Sequence, residues 1–405
     1  MATSPKRSLV AGVDAGSRRV RCVVGVVEDR RLRFLSAGTA QAQGWQRGRV
    51  QDINLIAESI QAAVKEAEER AGVDIESVVL GVGGPAVQSI VARGVYEFGR
   101  TRPVAPDDLK YAIDLAARTR LEEDRILLHV FPQQFSLDGK AGYRTPVGVP
   151  CSRLEATVLL VTVSEKEHEA MVAAAHQAHL AVRETASEAV AAAYAAILPR
   201  ERHHGAALVD IGLHSTEIVV YDGESTIGVT ALPVSGEHFT RDLVVSFSQV
   251  YGHPISPDDA ELLKCDYGCA LRGLTADNVL VEVPSADGRS SKEFSRRQIN
   301  EILEARAEEM FAYIKEYLAH LQMDQNLLEG LFLTGGGARL DGMLDMAERV
   351  LNCPARYGLA QGIQDWPPGF QDQAWTTAAG LALYSARLDG PPGRKSGGIL
   401  GFLGW

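Results

Sequence analysis

Two places along the chain carry the same pattern of apolar and polar positions. Leu9–Asp14 is an apolar run ending in an acid, Ala15–Arg19 is a small-residue turn, and Val20–Glu28 is a β-branched run with the character of a buried strand. Far downstream, Ala206–Asp210 is again an apolar run ending in an acid, Ile211–Glu217 is a short turn, and Ile218–Tyr221 is the next strand. Val13-Asp14-x-Gly16 is thus echoed by Val209-Asp210-x-Gly212, with Ser17 after the first and Ser215 and Thr216 after the second. The echo predicts two related α/β halves, each offering a hairpin turn with an acid before it.

Around these repeats the periodicity predicts further elements. Arg33–Ala40 is a third strand, and Asn54 is placed to cap a helix whose face carries Ile56, Ile60, Val64 and Ala67 and which Gly72 stops. Ser77–Gly84 is another strand. Residues 86–163 form a separate small α+β unit. Its strands are Val87–Val91, Gly94–Phe98, Arg125–Gln134 and Leu154–Val163, and its helix starts after Pro106 with Asp107 and Asp108 in the first turn. Residues 165–198 are helix-rich, and the apolar run AVAAAYAAIL predicts a core helix against a sheet. Ser256–Phe294 is polar and turn-rich and reads as a subsidiary lobe; a charged helix follows over about Arg297–Leu321. Leu331–Leu333 is a strand leading into Thr334-Gly335-Gly336-Gly337, and a helix over Thr376–Arg387 closes the fold before the linker GPPGRKSGG and a terminal ILGFLGW.

Composition narrows the function. Hydrophobic residues make up 46% and charged residues 23% of 405 residues, a balance that supports a sizeable core. The net charge of −11 argues against broad nucleic-acid binding. No segment approaches the length of a membrane span, and Met1–Ser8 lacks an apolar signal core, so a cytoplasmic protein is expected. Five cysteines imply no disulfide framework; Cys265 and Cys269, four apart, can share a helix face but lack a second ligand pair and are expected to be idle thiols.

Two Asp-x-Gly turns facing each other suit a nucleoside triphosphate. Turn amides form a concavity for phosphate oxygens, and glycine lets the backbone approach closely. Asp14 and Asp210 are then candidates to hold a hydrated Mg²⁺, which needs few carboxylates. The Gly335–Gly337 loop offers bare backbone to a nucleotide. No Walker A or paired Rossmann fingerprint is present.

The order of first turn, second turn and Gly-rich loop is similar to that of the actin/Hsp70/sugar-kinase superfamily. Within it, Ile126–Leu154, VAPDDL at Val104–Leu109 and Phe294–Glu309, with its Arg297 and Arg306, resemble the bacterial cell-division actins of the FtsA family. The resemblance covers about Ser8 to Leu388 and implies an actin-like two-lobed fold, two duplicated sheet-and-helix domains with a small α+β insertion. The implied domains are 1A (8–85, 164–203 and 375–388), 1C (86–163), 2A (204–235 and 310–374) and 2B (236–309), followed by a linker and membrane-targeting tail (389–405). It implies ATP with Mg²⁺ as ligand: Asp14, Gly16, Ser17 and Arg18 in the first phosphate loop; Asp210, Gly212, Ser215 and Thr216 in the second; Gly236 near the sugar; Glu261 and Lys264 of AELLK at the nucleoside; Gly335, Gly336 and Gly337 at the adenosine. Glu188 is either the residue that orients a hydrolytic water or a plain helix-start glutamate.

Two departures stand out. Leu213 and His214 occupy the second loop where the family has glycines, which calls ATP turnover into question, and Arg18-Arg19 replaces Ser-Lys in the first. The resemblance further implies a protein at the cytoplasmic face of the cell membrane, at the division septum, that polymerises with itself. It implies capture of the acidic C-terminal peptide of the tubulin-like division protein FtsZ, for which Arg289, Lys292, Arg297 and Asn300 are the candidates, and recruitment of later division proteins through 86–163. Ile399, Leu400, Phe402, Leu403 and Trp405 form a candidate interfacial anchor on inner-membrane lipid. The alternatives are a pilus-assembly protein of the same fold that binds an inner-membrane protein's peptide, and a small-molecule kinase of the superfamily.

Overall fold

The computed structural model describes residues 8–388, apart from positions 30, 224 and 277, so the linker and the tail Ile399–Trp405 lie outside the described residues. The strand Ser8–Ala15 pairs antiparallel with Arg19–Glu28 along its whole length, from Ser8↔Val27 to Ala15↔Val20, and Arg31–Gln41 continues the meander. On the other side of Ser8–Ala15 lie two parallel strands, Ser77–Val82 and then Ala181–Ser187. The run Val10–Val13 is apolar without alternation because both faces of this sheet are covered. Ala11 and Val13 pack with Ile56 and Ile60 of the helix Ile53–Ala71, whereas Val10 packs with Ala378 and Ala382 of the helix Thr376–Leu388. Gly12 lies so close to that second helix that a Cβ would stand 2.3 Å from the Ala382 amide.

The second lobe repeats this order. Ala206–Ile211 pairs with Thr216–Asp222, Ser225–Leu232 follows, and the parallel strands Gly330–Thr334 and Ala355–Tyr357 lie on the far side. The duplication expected from the Asp-x-Gly echo is therefore a duplication of sheet topology. The second lobe's core runs from Ile218 and Val220 through Phe247, Phe294, Phe311 and Ile314, which ties the helices Gly236–Gln249 and Arg296–His320 to the sheet.

Several boundaries differ from the sequence expectation. The helix Ile53–Ala71 is capped by Asp52, whose carboxylate accepts from the Asn54 and Leu55 amides, so Asn54 is its second residue and not its cap. Gly72 does end the helix, at φ 66°. The two short strands expected at 87–98 are one continuous strand, Gln88–Pro103. It pairs with Pro150–Ser164, which pairs in turn with Arg125–Leu137. The helix Pro106–Ala117 lies on this sheet, where Gly94 leaves room that a Cβ would take within 2.1 Å of the Ala112 carbonyl. The stretch 165–198 is not helical throughout: Ala181–Ser187 is a strand between the helices Glu165–Gln177 and Glu188–Ala196. The second helix is the expected apolar core helix, and it meets Thr376–Leu388 at Gly380, where a Cβ would lie 1.9 Å from the Ala191 carbonyl. Cys269 lies beyond the end of the helix Pro257–Tyr267 and shares no helix face with Cys265; all five cysteines are free. No described helix is long and apolar enough to cross a membrane.

Candidate functional site

The two hairpin turns open onto one cleft of about 540 Å³ between the lobes. Its walls include Asp14, Gly16, Ser17 and Arg18 from the first lobe and Asp210, Gly212, Ser215, Gly236, Glu261, Lys264 and Gly335–Gly337 from the second, with Glu188 between them. The antiparallel register explains the placement. Asp14 and Asp210 each end a central strand and sit at the mouth of a tight turn. In the second turn the Gly212 amide donates to the Ser215 carbonyl at 2.8 Å. The Gly236 and Glu237 amides donate to the Gly212 and Leu213 carbonyls, which seats the start of the helix Gly236–Gln249 against this turn and brings its positive end to the cleft.

Thr216 is a correction to the predicted set. It is fully buried on its strand, opposite Ile211, and does not line the cleft. The second loop takes its two side chains without backbone strain. Neither Leu213 nor His214 has a positive φ, so the glycines of the family pattern are not required here for conformation. Leu213 lines the cleft, while His214 is not among its lining residues; its Cβ lies beside Gly48, and its ring nitrogen lies 3.6 Å from the Glu237 carboxylate.

The cleft is crowded with carboxyls. Burial pushes Asp14 up to about 7; the neighbouring Arg21 guanidinium, at 3.9 Å, pulls the other way, and Asp210 adds to the rise. Asp210 is raised by burial, against the Thr377 hydroxyl that donates to its Oδ2 at 2.8 Å. Burial also raises Glu188, reinforced by the charges of Asp14, Glu217 and Asp210. Glu217 is raised by burial although the Gly84 amide donates to its Oε1 at 2.7 Å, and its Oε2 is buried with no hydrogen-bond partner. This much uncompensated acid fits a site made to face a cation. No group of three or more His, Cys, Asp or Glu side chains among the described residues is arranged to hold a metal by itself, so an ion here would keep water ligands, as Mg²⁺ does.

At the other end of the cleft, the Lys264 ammonium donates to the Glu261 Oε2 at 2.6 Å, to the Thr240 hydroxyl at 2.9 Å and to the Gly236 carbonyl at 3.1 Å. Burial alone would raise the Glu261 carboxyl, but Lys264, Thr240 and Arg18 hold it below the usual range. The Arg18 guanidinium is engaged 3.3 Å from Glu261 Oε1.

The sequence pattern missed Arg21, Glu217 and the Gly83–Gly84 turn. A signal was present for the first two: in the hairpins, Arg21 stands opposite Asp14 and Glu217 opposite Asp210. The duplicated turns thus differ in charge, with a cation across from the acid in one lobe and a second acid in the other. Glu188 starts its helix and also lines the cleft, so it is not a surface glutamate.

Away from the cleft, Arg289, Lys292 and Arg297 lie on the surface of the subsidiary lobe. Lys292 stands 5.2 Å over the Phe294 ring and Arg297 pairs with Glu301 at 3.3 Å. Asn300 corrects the expectation of a surface donor. It is fully buried, accepting from the Cys269 amide at 2.9 Å and donating to the Thr275 hydroxyl at 3.1 Å.

Comparison with known proteins agrees with this architecture. The sequence model for "Cell division protein FtsA" matches residues 207–380, and the one for "SHS2 domain inserted in FTSA" matches 84–162. The cell division protein FtsA of Pseudomonas aeruginosa is 28% identical over 95% of this chain and 91% of its own length. That of Escherichia coli is 29% identical over 95% and 92%, and that of Borreliella burgdorferi 29% over 93% and 91%. Among solved structures, the PilM–PilN type IV pilus biogenesis complex superposes with a TM-score of 0.65 at 17% identity, covering 93% of this chain and 98% of that one. MreB5 of Spiroplasma citri bound to ADP gives 0.55 at 13%, covering 92% and 94%. The fold is actin-like, with an SHS2 unit inserted in the first half, and the chain belongs to the FtsA family.

Proposed function

We propose that this chain is an adenine-nucleotide-binding, actin-like cell-division scaffold. The observation that carries the reading is the convergence of one Asp-x-Gly turn from each lobe, with the Gly335–Gly337 loop, on a single acid-rich cleft. ATP would place its phosphates against the two turns and its adenosine on the glycine loop. Mg²⁺ would be held by Asp14 and Asp210 through water, and it would supply charge neutralisation between the phosphates and the carboxyls. Glu188 is positioned to orient a water. Its raised carboxyl, like those around it, suits slow turnover or a nucleotide-state switch more than fast hydrolysis.

The names carried by relatives over nearly the whole chain support a place in division. In this reading the protein polymerises beneath the inner membrane at the septum, tethers FtsZ filaments through the surface of 236–309, and recruits later division proteins through 86–163. Weak terminal anchors, Ile399–Trp405, would act together along a filament. The division into domains 1A, 1C, 2A and 2B with the boundaries given above belongs to the same proposal. Likeness to a pilus-assembly complex at 17% identity speaks to fold alone.

The test is capture of an FtsZ C-terminal peptide by the full chain with and without Mg²⁺·ATP. Charge reversal of Arg297 to Glu should weaken capture several-fold while the protein stays folded. Equal capture by both proteins, or none by the wild type in either condition, would contradict the tethering role.

A further inference from the structure

Arg18 belongs to the first turn, in the first lobe, and Glu261 to the helix Pro257–Tyr267, in the second. Their 3.3 Å contact is therefore a bond across the cleft. The two ends are unequal. The Glu261 side chain is 15% exposed, and its Oε2 is taken by Lys264 and by the Thr240 hydroxyl, so its placement is set by the second lobe. Its Oε1 accepts from the Cys265 thiol of the same helix at 3.7 Å and meets the Arg18 guanidinium. The Arg18 side chain is 58% exposed and free to swing. Two further bonds join the lobes deeper in, from the Gly84 amide to Glu217 and from the Thr377 hydroxyl to Asp210. Both reach carboxyls that burial has shifted, whereas the Arg18 end of the third contact is exposed to solvent.

We infer that Arg18 acts as a clasp on Glu261 across the mouth of the nucleotide cleft, not as a phosphate ligand, and that nucleotide leaves by breaking this bond. The inference rests on the nucleotide reading of the cleft only for its second half; the clasp itself needs only Arg18 and Glu261. An exposed ion pair is weak, so its effect is modest and salt-sensitive. A phosphate ligand would discriminate by phosphate number, whereas a clasp would not.

Two measurements on the full chain decide it. In nucleotide-free protein, hydrogen exchange should be about two- to five-fold faster in Arg18→Gln, in the segments around Ala15–Arg19 and around Glu261 alike. Exchange within Arg125–Leu137 should be unchanged. Wild-type protein in 0.5 M NaCl should move toward the variant, and Arg18→Lys should lie between them. Release of fluorescent ADP and ATP analogues should accelerate by the same factor in Arg18→Gln. Unchanged exchange in the variant overturns the clasp; faster release of the ATP analogue with ADP release unchanged overturns it in favour of a phosphate contact. A wild type that binds neither analogue would refute the nucleotide reading, while the exchange measurement still decides whether the lobes are clasped.

Discussion

At the scale of single residues, three neighbouring glycines have three different reasons to be glycine. Gly335 has φ +83°, and a Cβ there would lie 2.2 Å from the Asp210 carboxylate. A Cβ on Gly337 would lie 2.3 Å from the Ile211 side chain. Gly336 has an ordinary helical backbone, φ −64° and ψ −35°, and a Cβ would meet nothing within 4 Å. Only the cleft lies before it. Gly336→Ala should therefore leave the melting temperature of the empty protein unchanged and weaken adenine-nucleotide affinity about ten-fold, since overpacking costs about 1–3 kcal/mol. Gly335→Ala should lower the melting temperature as well, and calorimetry with nucleotide titration separates the two. Buried His129 gives a second prediction. The Ser187 amide donates to its Nε2 at 2.9 Å, and burial pulls its pKa down to about 3. Its unfolded pKa is near 6.5, so the stability it contributes is full above that value and is lost as pH falls toward 3. Between pH 7 and 5 the stability difference between wild type and His129→Gln should shrink by about 2 kcal/mol in denaturant titrations. The raised Glu217 carboxyl, at about 8, has the opposite sign: its favourable contribution is full below the ordinary carboxylate value and is lost as pH rises through 8.

Elements show what could be seen in advance. The paired turns were legible because two apolar runs end in an acid before Asp-x-Gly, and the hairpin register then brings Asp14 and Asp210 to the cleft. The helix Ile53–Ala71 was legible from its apolar face, but its cap was not, because Asp52 and Asn54 are both good capping residues and only the chain's entry angle chooses between them. Ala181–Ser187 was hidden because AVRETAS has no strand-like run; it is a strand by pairing with Ser77–Val82. Burial of Asn300 was hidden because a polar residue in a charged helix gives no sign that its partners are the Cys269 amide and Thr275. The contact between the helices Glu188–Ala196 and Thr376–Leu388 was foreshadowed by composition: small residues allow backbones to touch. Gly380→Ala should cost about 2–3 kcal/mol in chemical unfolding by forcing these helices apart, with Gly369→Ala, which has open space around it, as the neutral control.

The described residues hold two copies of one sheet plan around a shared acid-rich cleft, with the SHS2 unit inserted in the first half. A ligand bound there touches both lobes, so in the proposed reading its presence would set how the lobes stand and, through them, how one copy meets the next in a filament. Nucleotide with Mg²⁺ should raise the melting temperature of the wild type, since anything that binds only the folded state stabilises it, by about 2.7 kcal/mol at a hundred times Kd. The proposed anchor at Ile399–Trp405 is tested by sedimentation with anionic liposomes: its deletion should abolish co-sedimentation while leaving that melting shift intact. The most direct measurement is a crystal structure of the full chain with Mg²⁺ and a non-hydrolysable ATP analogue. The account predicts one analogue with its phosphates between the Asp14–Ser17 and Asp210–Ser215 turns and its adenosine on Gly335–Gly337. An analogue bound to the turn of one lobe alone, or outside this cleft, would contradict it.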